Sequence, residues 1–236
     1  MKISIITVCF NSEATIENTL KSVGEQTYKD IEYIIIDGGS TDGTCGIIER
    51  YLPYITTFVS EPDNGIYDAM NKGLDRATGD YVLFLGSDDR LMDKDVITNV
   101  VNNISTNKGD VFYGDVYREV RKDYYCGKFN RYKLAVKNIS HQAIFYPRFI
   151  YKKNRYNTDY SVFADYYYNI HLFCRFKYTY IGICVSVFND NSTSNVAVDP
   201  AFEDIRRIHI VNNLGFAPLV YSDIYHFFRN MIRKTR

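Results

Sequence analysis

The chain opens on a short apolar run, Ile3-Ser-Ile-Ile-Thr-Val-Cys9, that carries no helical period and gives way to polar residues at Asn11. Its length and β-branched content predict a strand buried on both faces. Asn11 or Ser12 then predicts a helix cap, because Ile16, Leu20 and Val23 fall on one helical stripe. The alternation repeats along the chain. Residues 31–36 predict a second strand that runs into Asp37-Gly-Gly-Ser-Thr-Asp42-Gly43. Ile47, Ile48, Tyr51 and Leu52 predict a helix stopped by Pro53, and residues 56–60 a third strand. Gly65 opens a helix with Ala69, Met70, Gly73, Leu74 and Ala77 on one face and Asp68, Lys72 and Asp75 on another. A fourth strand over 80–85 leads to Gly86-Ser-Asp-Asp89, and Asp93 predicts the cap of a helix carrying Val96, Ile97, Val100, Val101 and Ile104. Strands and helices alternating at this spacing predict an α/β fold, a Rossmann-like, doubly wound, mostly parallel sheet with ligands at the carboxyl ends of its strands.

The pattern loosens after residue 110. A strand is predicted over 111–116, a helix over 165–173 and a strand over 178–188. Residues 117–160 are rich in Tyr, Lys and Arg without a clear period. The polar run Asn189–Asn195 predicts a loop, and two helical segments, 200–213 and 218–234, follow. We expect a single compact domain of three parts: residues 1–115, 116–199 and a helical tail over 200–236.

Composition narrows the function classes. The 236 residues carry 28 basic and 28 acidic side chains, so the net field argues neither for nor against a polyanionic partner. No nucleic acid is expected as a partner. The five cysteines lack metal-knuckle, redox or disulfide-framework spacing, which suits small buried hydrophobes in a reducing compartment. No secretory signal and no run of about 18 apolar residues is present, so a cytoplasmic protein is expected, or one bound to the inner face of a membrane. The 22 tyrosines and 15 phenylalanines without tryptophan read first as core packing. Tyr124-Tyr125 and Tyr166-Tyr-Tyr168 are the runs that could instead stack on sugar rings.

The chemistry lies where the polar clusters fall. Asn11, Asp37-Gly38, Asp63-Asn64-Gly65 and Asp88-Asp89 each follow a predicted strand, so four strands deliver amide or acidic groups to one sheet edge. Each cluster alone reads as a solvated turn; together they define a site. Two acids after a buried strand suit Mg²⁺ or Mn²⁺ and, through the ion, a diphosphate. Side chains alternate along an extended chain, so only one of the pair faces a given ligand. There is no P-loop lysine and no G-x-G-x-x-G after the first strand, which argues against an NTPase and a dehydrogenase.

The segments Thr7–Asn11, Ile36–Gly43, Glu61-Pro-Asp-Asn-Gly-Ile-Tyr-Asp-Ala-Met-Asn-Lys-Gly73 and Ala77–Tyr81 through Asp88-Asp89 resemble the family 2 glycosyltransferases of GT-A fold. The likeness is dense over 3–89, traceable to about 195 and absent at the C-terminus. It implies an inverting, metal-dependent transferase that takes a sugar from a nucleotide diphosphate donor, with Mn²⁺ or Mg²⁺ as cofactor. UDP-sugar is favoured, with GDP and dTDP sugars open. The acceptor would be a glycan or lipid-linked glycan, in synthesis of a cell-surface polysaccharide or lipopolysaccharide.

The resemblance implies that Thr7, Asn11 and Asp37 line the base and ribose pocket and that Asp68 and Lys72 face nucleotide or sugar. It makes Asp89 the metal ligand, with Asp88 toward ribose or sugar. Ser87 departs from the acid-first D-x-D of many relatives, so the first carboxylate is missing or supplied by Asp88, and the division between Asp88 and Asp89 stays open. Asp115 and His141 correspond to acceptor-side segments, and Asp165, in Ala164-Asp165-Tyr166, to the catalytic base. Without the resemblance, Asp165 reads as a first-turn helix acid and His141 as a structural histidine.

Two rivals follow from the same residues. A nucleotidylyltransferase would need a basic, glycine-rich loop after the first strand, where Cys9-Phe-Asn-Ser-Glu13 stands instead. A non-catalytic scaffold that binds nucleotide sugar or glycan would keep the donor residues without needing Asp165. In the tail, Ile224, Phe227, Phe228 and Met231 share a helical face with Arg229, Arg233, Lys234 and Arg236 at its end. Residues 218–236 therefore suit either a peripheral membrane contact or docking on the body of the enzyme.

Overall fold

The computed structural model of the protein describes residues 1–125, 127–190 and 199–234. Residues 191–195 of the expected polar loop, Arg236 and the side chains of Arg233 and Lys234 at the expected basic end lie outside what is described.

Strands β1 (Ile3–Cys9), β2 (Ile31–Asp37), β3 (Thr57–Ser60) and β4 (Tyr81–Phe84) form a parallel sheet in the order β3-β2-β1-β4. Their alternate residues feed two cores. Ile3, Ile5, Tyr33, Ile35, Leu83 and Leu85 pack on one face with Ile16 and Leu20 of α1 (Ile16–Gly24) and Val96, Ile97 and Val100 of α4 (Val96–Thr106). Ile6, Ile34, Ile36, Val82 and Phe84 pack on the other with Met70 and Leu74 of α3 (Ile66–Arg76). Burial on both faces is why these strands read as continuous apolar runs. In α3 the glycine matters: a Cβ on Gly73 would meet Cγ2 of Ile6 at 2.5 Å, so the helix lies on β1 closer than alanine allows.

Helix starts differ from expectation. The residue preceding α1 is Thr15, and Ser12 contributes its carbonyl, not its side chain, to the N–H groups of Thr15 and Ile16. Asp95 rather than Asp93 precedes α4, while the Asp93 carboxylate accepts from the Asp95 N–H at 2.8 Å. The helix expected to run to Pro53 ends earlier. α2 spans Thr44–Glu49, and Pro53 sits inside a separate 3₁₀ turn, Leu52–Tyr54, where its missing N–H costs nothing.

Beyond β4 the sheet continues through β8 (Ile144–Pro147), β6 (Val111–Arg118), β9 (Tyr178–Phe188) and β5 (Arg90–Leu91), with β7 (Asp123–Tyr125) paired to the far end of β6, past β8. β8 is antiparallel to both neighbours, β9 is parallel to β6, and β5 is antiparallel to β9. The mixed sheet explains the weak pattern of 117–160: β7, β8, α5 (Arg131–Val136) and α6 (Arg148–Tyr151) are all too short for a period to emerge. The tyrosines there are mostly core. Tyr146 and Tyr156 each pack against Tyr168, and Tyr166 and Tyr168 of α7 (Ala164–Phe173) are buried, whereas Tyr124 is exposed. Helices α8 (Pro200–Asn213) and α9 (Phe216–Lys234) pack on each other, α8 on α7 and α9 on α5. No helix among the described residues is long and apolar enough to cross a membrane.

Candidate active site

The carboxyl ends of β1 to β4 meet along one edge, joined by side-chain hydrogen bonds. Asp37, at the end of β2, is wholly buried. It accepts from the N–H groups of Gly39 (3.1 Å) and Ser40 (2.9 Å), from the Ser40 hydroxyl, and from the Ser60 hydroxyl of β3 at 2.7 Å. Burial opposes its ionisation, but these donors outweigh that and hold the carboxyl below its ordinary range. Asn11, at the end of β1, takes the left-handed conformation (φ 48°) that asparagine tolerates better than most residues. Its N–H donates to the Ser40 hydroxyl at 2.8 Å and its Oδ1 accepts from the Thr41 N–H at 2.9 Å. The Ser12 and Ser87 hydroxyls, 2.8 Å apart, join the ends of β1 and β4. Thr7 is fully enclosed, its hydroxyl 3.2 Å from that of Tyr33.

The Glu61–Gly73 block folds over this edge. Asp68 accepts from the Asn64 N–H at 3.0 Å. Lys72 lies 3.1 Å from Glu61, 3.6 Å from Asp68 and 3.0 Å from the Pro62 carbonyl. The Glu61 hydrogen bond, outweighing desolvation, holds the Lys72 ammonium above its usual value. A Cβ on Gly38 would meet Oδ2 of Asp63 at 2.5 Å, so the glycine lets this loop close on the end of β2.

The adjacent acids occupy different surroundings. Asp88 lines a small cleft with Ile6, Val8, Met70, Ser87 and His141, and burial raises its pKa. Asp89 is 2% exposed and sits behind it. Its Oδ2 accepts from the Gln142 amide (2.9 Å) and the Gly86 N–H (3.2 Å), and its Oδ1 from the Asn189 N–H (3.1 Å). Burial and the charge of Asp88 push Asp89 up to about 6.

A further carboxylate reaches the cleft through His141. Asp165, in the first turn of α7, is 8% exposed. Its Oδ1 faces the Tyr67 hydroxyl at 3.3 Å, and its Oδ2 accepts from the Asn138 amide at 2.9 Å and lies 3.1 Å from Nδ1 of His141. Burial draws His141 toward neutrality. The bond to Asp165 and the charges of Asp165, Asp89 and Asp88 outweigh it, so the imidazole titrates above its ordinary value. Asp115 lies at an irregularity of β6, where its carboxylate accepts from the Gly127 N–H and the Tyr180 hydroxyl, both at 2.5 Å.

The structure thus places Asp88 and His141 on one cleft, with Asp165 bonded to His141 and Asp89 buried next to Asp88. Asn11 and Asp37 lie at the same sheet edge, Asp68 and Lys72 on the covering loop and helix, and Asp115 in a network of its own. Asn138 and Asn189 carried no signal in the sequence, each being one amide in an irregular polar stretch, and Tyr67 was one letter of a longer motif.

The donor set suits an ion that relies on its substrate. Mg²⁺ and Mn²⁺ sites often combine one or two carboxylates with substrate phosphates. Asp88 offers one carboxylate at the cleft wall. Among the described residues no three His, Cys, Asp or Glu side chains gather into a protein-only cage.

Comparison with known proteins agrees with this architecture. The model of glycosyl transferase family 2 matches residues 4–182. A PGL/p-HBAD biosynthesis glycosyltransferase of Mycobacterium bovis (strain BCG / Pasteur 1173P2) is 36% identical over 221 residues, covering 90% of this chain and 86% of the relative. The TarS 1-349 structure of S. aureus, in complex with UDP-GlcNAc, superposes with a TM-score of 0.76 at 20% identity over 90% of this chain and 67% of that one. Against a longer TarS chain the share of the neighbour covered is 40%. The mannosyltransferase PcManGT of Pyrobaculum calidifontis, in complex with GDP-Man and Mn²⁺, superposes at a TM-score of 0.68 and 17% identity, over 94% of this chain and 72% of that one. The fold is that of the GT-A glycosyltransferases. The chain belongs to glycosyl transferase family 2 and is a glycosyltransferase.

Proposed function

We propose that the protein is an inverting transferase that moves a sugar from a nucleotide diphosphate donor, UDP-sugar by preference, to a glycan or lipid-linked glycan acceptor in synthesis of a cell-surface glycolipid or polysaccharide. The observation that carries this reading is a half-buried carboxylate, Asp88, on the wall of a cleft that His141 also lines, with the buried carboxylate of Asp165 bonded to that histidine. Supporting it, one structural neighbour was solved with UDP-GlcNAc, and the mycobacterial relative's name concerns biosynthesis of PGL/p-HBAD. Such an acceptor implies work on the cytoplasmic side, at the inner face of a membrane.

In this reading Asn11 and Asp37 shape the base and ribose end, Asp37 by fixing the Gly38–Ser40 turn and Thr7 by supporting β1 beneath it. Asp68 and Lys72 hold the covering loop toward nucleotide or sugar. Asp88 is the carboxylate toward the divalent ion, the role that the resemblance gave to Asp89, and Asp89 instead fixes the backbone around it. A bound Mg²⁺ or Mn²⁺ would supply Lewis-acid stabilisation of the leaving diphosphate. Asp165 receives the proton of the acceptor hydroxyl as that oxygen bonds to the anomeric carbon. The bond from this carbon to the diphosphate oxygen breaks on the opposite face, and the nucleoside diphosphate leaves with the electron pair. Tyr67 and Asn138 aim Asp165, while His141 and Asp115 serve the acceptor side.

Transfer from radiolabelled UDP-, GDP- and dTDP-sugars, measured beside nucleotide-induced thermal shifts, tests the proposal. A nucleotide at ~100 Kd adds about 2.7 kcal/mol to stability. Asp165→Asn is expected to keep that shift and to lose roughly 10²- to 10⁴-fold in transfer. Donor binding without turnover in the native chain would favour the scaffold instead, and full activity of Asp165→Asn would remove the base.

A further inference from the structure

The β6–β7 hairpin carries a pair of tyrosines that the core does not enclose. Tyr117 and Tyr124 are cross-strand partners, their rings edge-on with centroids 5.3 Å apart. Tyr117 is half-buried and Tyr124 is 65% exposed. The hairpin is braced on its other face, where Nε of Arg118 donates to Asp123 at 2.7 Å and the guanidinium lies over the Tyr125 ring at 5.1 Å. Its turn is tied to the end of β9: the Val120 N–H donates to Asp190 at 2.8 Å, and Arg121 lies 3.2 Å from the same carboxylate. An aromatic pair held this way can bind a ligand without first being ordered.

The hairpin's place in the sheet identifies what it meets. β9 pairs with β6 along Val111–Arg118, so β8 and β7 share the other edge of β6, β8 at Phe112 and Tyr113 and β7 at Val116 to Arg118. β7 therefore continues the line of β8 toward the edge where β4 ends, and the turn holding His141 enters β8 at that edge. Tyr124, opposite Tyr117, lies four residues along β6 from the pairing of Tyr113 with Ile144, about 13 Å. Val111 and Tyr113 face the core layer of Ile6, Met70 and Phe84, which also line the cleft, whereas Phe112 and Val116 face the other layer. Alternation then puts Tyr117, and Tyr124 opposite it, on the cleft face. One residue on, the Tyr125 hydroxyl donates to the Asn138 carbonyl at 2.7 Å, and the Asn138 amide donates to Asp165 at 2.9 Å.

The sheet order also separates this hairpin from the nucleotide. β1 and β2, which end near Asn11 and Asp37, lie on one side of β4, and β8 and β6 on the other. What reaches the tyrosines comes from the acceptor side of Asp88. A pyranose offers a face of axial C–H groups, weakly positive, to the negative face of an aromatic ring. Exposed Glu119, Arg121, Lys122 and Asp123 surround the tyrosines with charge, which suits a hydrated saccharide better than an acyl chain. We propose that Tyr117 and Tyr124 form an outer acceptor subsite, a platform that stacks on the sugar ring adjoining the one that accepts transfer. It rests on the proposed function for the acceptor and on the hairpin for the platform.

Saturation-transfer difference NMR of the full chain with UDP tests it. The probes are methyl glycosides of disaccharides built from glucose, galactose, mannose, N-acetylglucosamine or rhamnose. At least one should bind, with saturation concentrated on the C–H groups of one ring face. Tyr124→Ala should raise its dissociation constant roughly tenfold, the scale of one aromatic contact, and Tyr124→Phe by under about twofold. The UDP-induced thermal shift should be the same in both variants, which keep the fold and the donor end. No probe bound by the native protein, or an affinity unchanged in Tyr124→Ala, overturns the proposal. An equal loss in Tyr124→Phe overturns it as well, because the contact then belongs to the hydroxyl and not to the ring face. A UDP shift with saccharide binding indifferent to Tyr124 refutes only the platform, whereas Tyr124-dependent binding in a protein without a UDP shift refutes only the proposed function.

Discussion

Asp37→Asn separates what a charge contributes at the sheet edge from what shape contributes. The native carboxylate is wholly buried and accepts six hydrogen bonds, two from backbone N–H groups, two from hydroxyls and two weaker ones from the thiols of Cys9 and Cys45. An asparagine oxygen in the place of Oδ2 keeps the bonds from Gly39, Ser40 and Ser60, and its amide meets the Ser40 hydroxyl, which can rotate to accept. Geometry then survives and charge assistance is lost. A bond to a charged group is worth about 1.5–3 kcal/mol and a neutral one about 1, so three weakened bonds predict a loss of about 3 kcal/mol. The folded-state pKa lies below the ordinary value, so this stability is present above the unfolded pKa and is lost as pH falls through the folded one. Urea unfolding from pH 7 downward should show the full native advantage at neutral pH, narrowing progressively below about pH 4. A difference under 1 kcal/mol at pH 7, or one undiminished in acid, refutes the reasoning.

Other expectations follow from the same geometry. Asp88→Asn should abolish the part of the UDP-induced thermal shift that needs Mn²⁺ while leaving the unliganded protein close to native stability. Asp89→Ala strands the Gln142 amide and the N–H groups of Gly86 and Asn189, and urea unfolding without nucleotide should register a loss of roughly 3 kcal/mol. Asp165→Asn removes the partner that raises the His141 pKa, so NMR titration should show that imidazole titrating at lower pH than in the native protein. Gly114→Ala sets a methyl against the Ile183 carbonyl where β6 meets β9 and should cost about 1–3 kcal/mol in thermal unfolding.

The first half of the fold was legible because each element there obeys one strong rule. β1, β2 and β4 are buried on both faces and read as apolar runs, and α1, α3 and α4 keep a 3.6-residue stripe against them. The second half was hidden because its elements are brief: β8 has four residues and β7 three. At the site, residue types could be read but not their directions. Asp88 and Asp89 are equivalent letters, and only the fold shows one on the cleft wall and the other beneath Gln142. The partners of Asp165 come from α3 and from the stretch after α5, 98 and 27 residues away, a separation no local spacing encodes.

The most direct test of the central claim is paramagnetic NMR of the protein with UDP and Mn²⁺. Broadening is predicted to centre on Ser87, Asp88 and His141 and to vanish in Asp88→Asn. Broadening centred away from the strand ends, or unchanged in that variant, would contradict a diphosphate and its ion seated in this cleft.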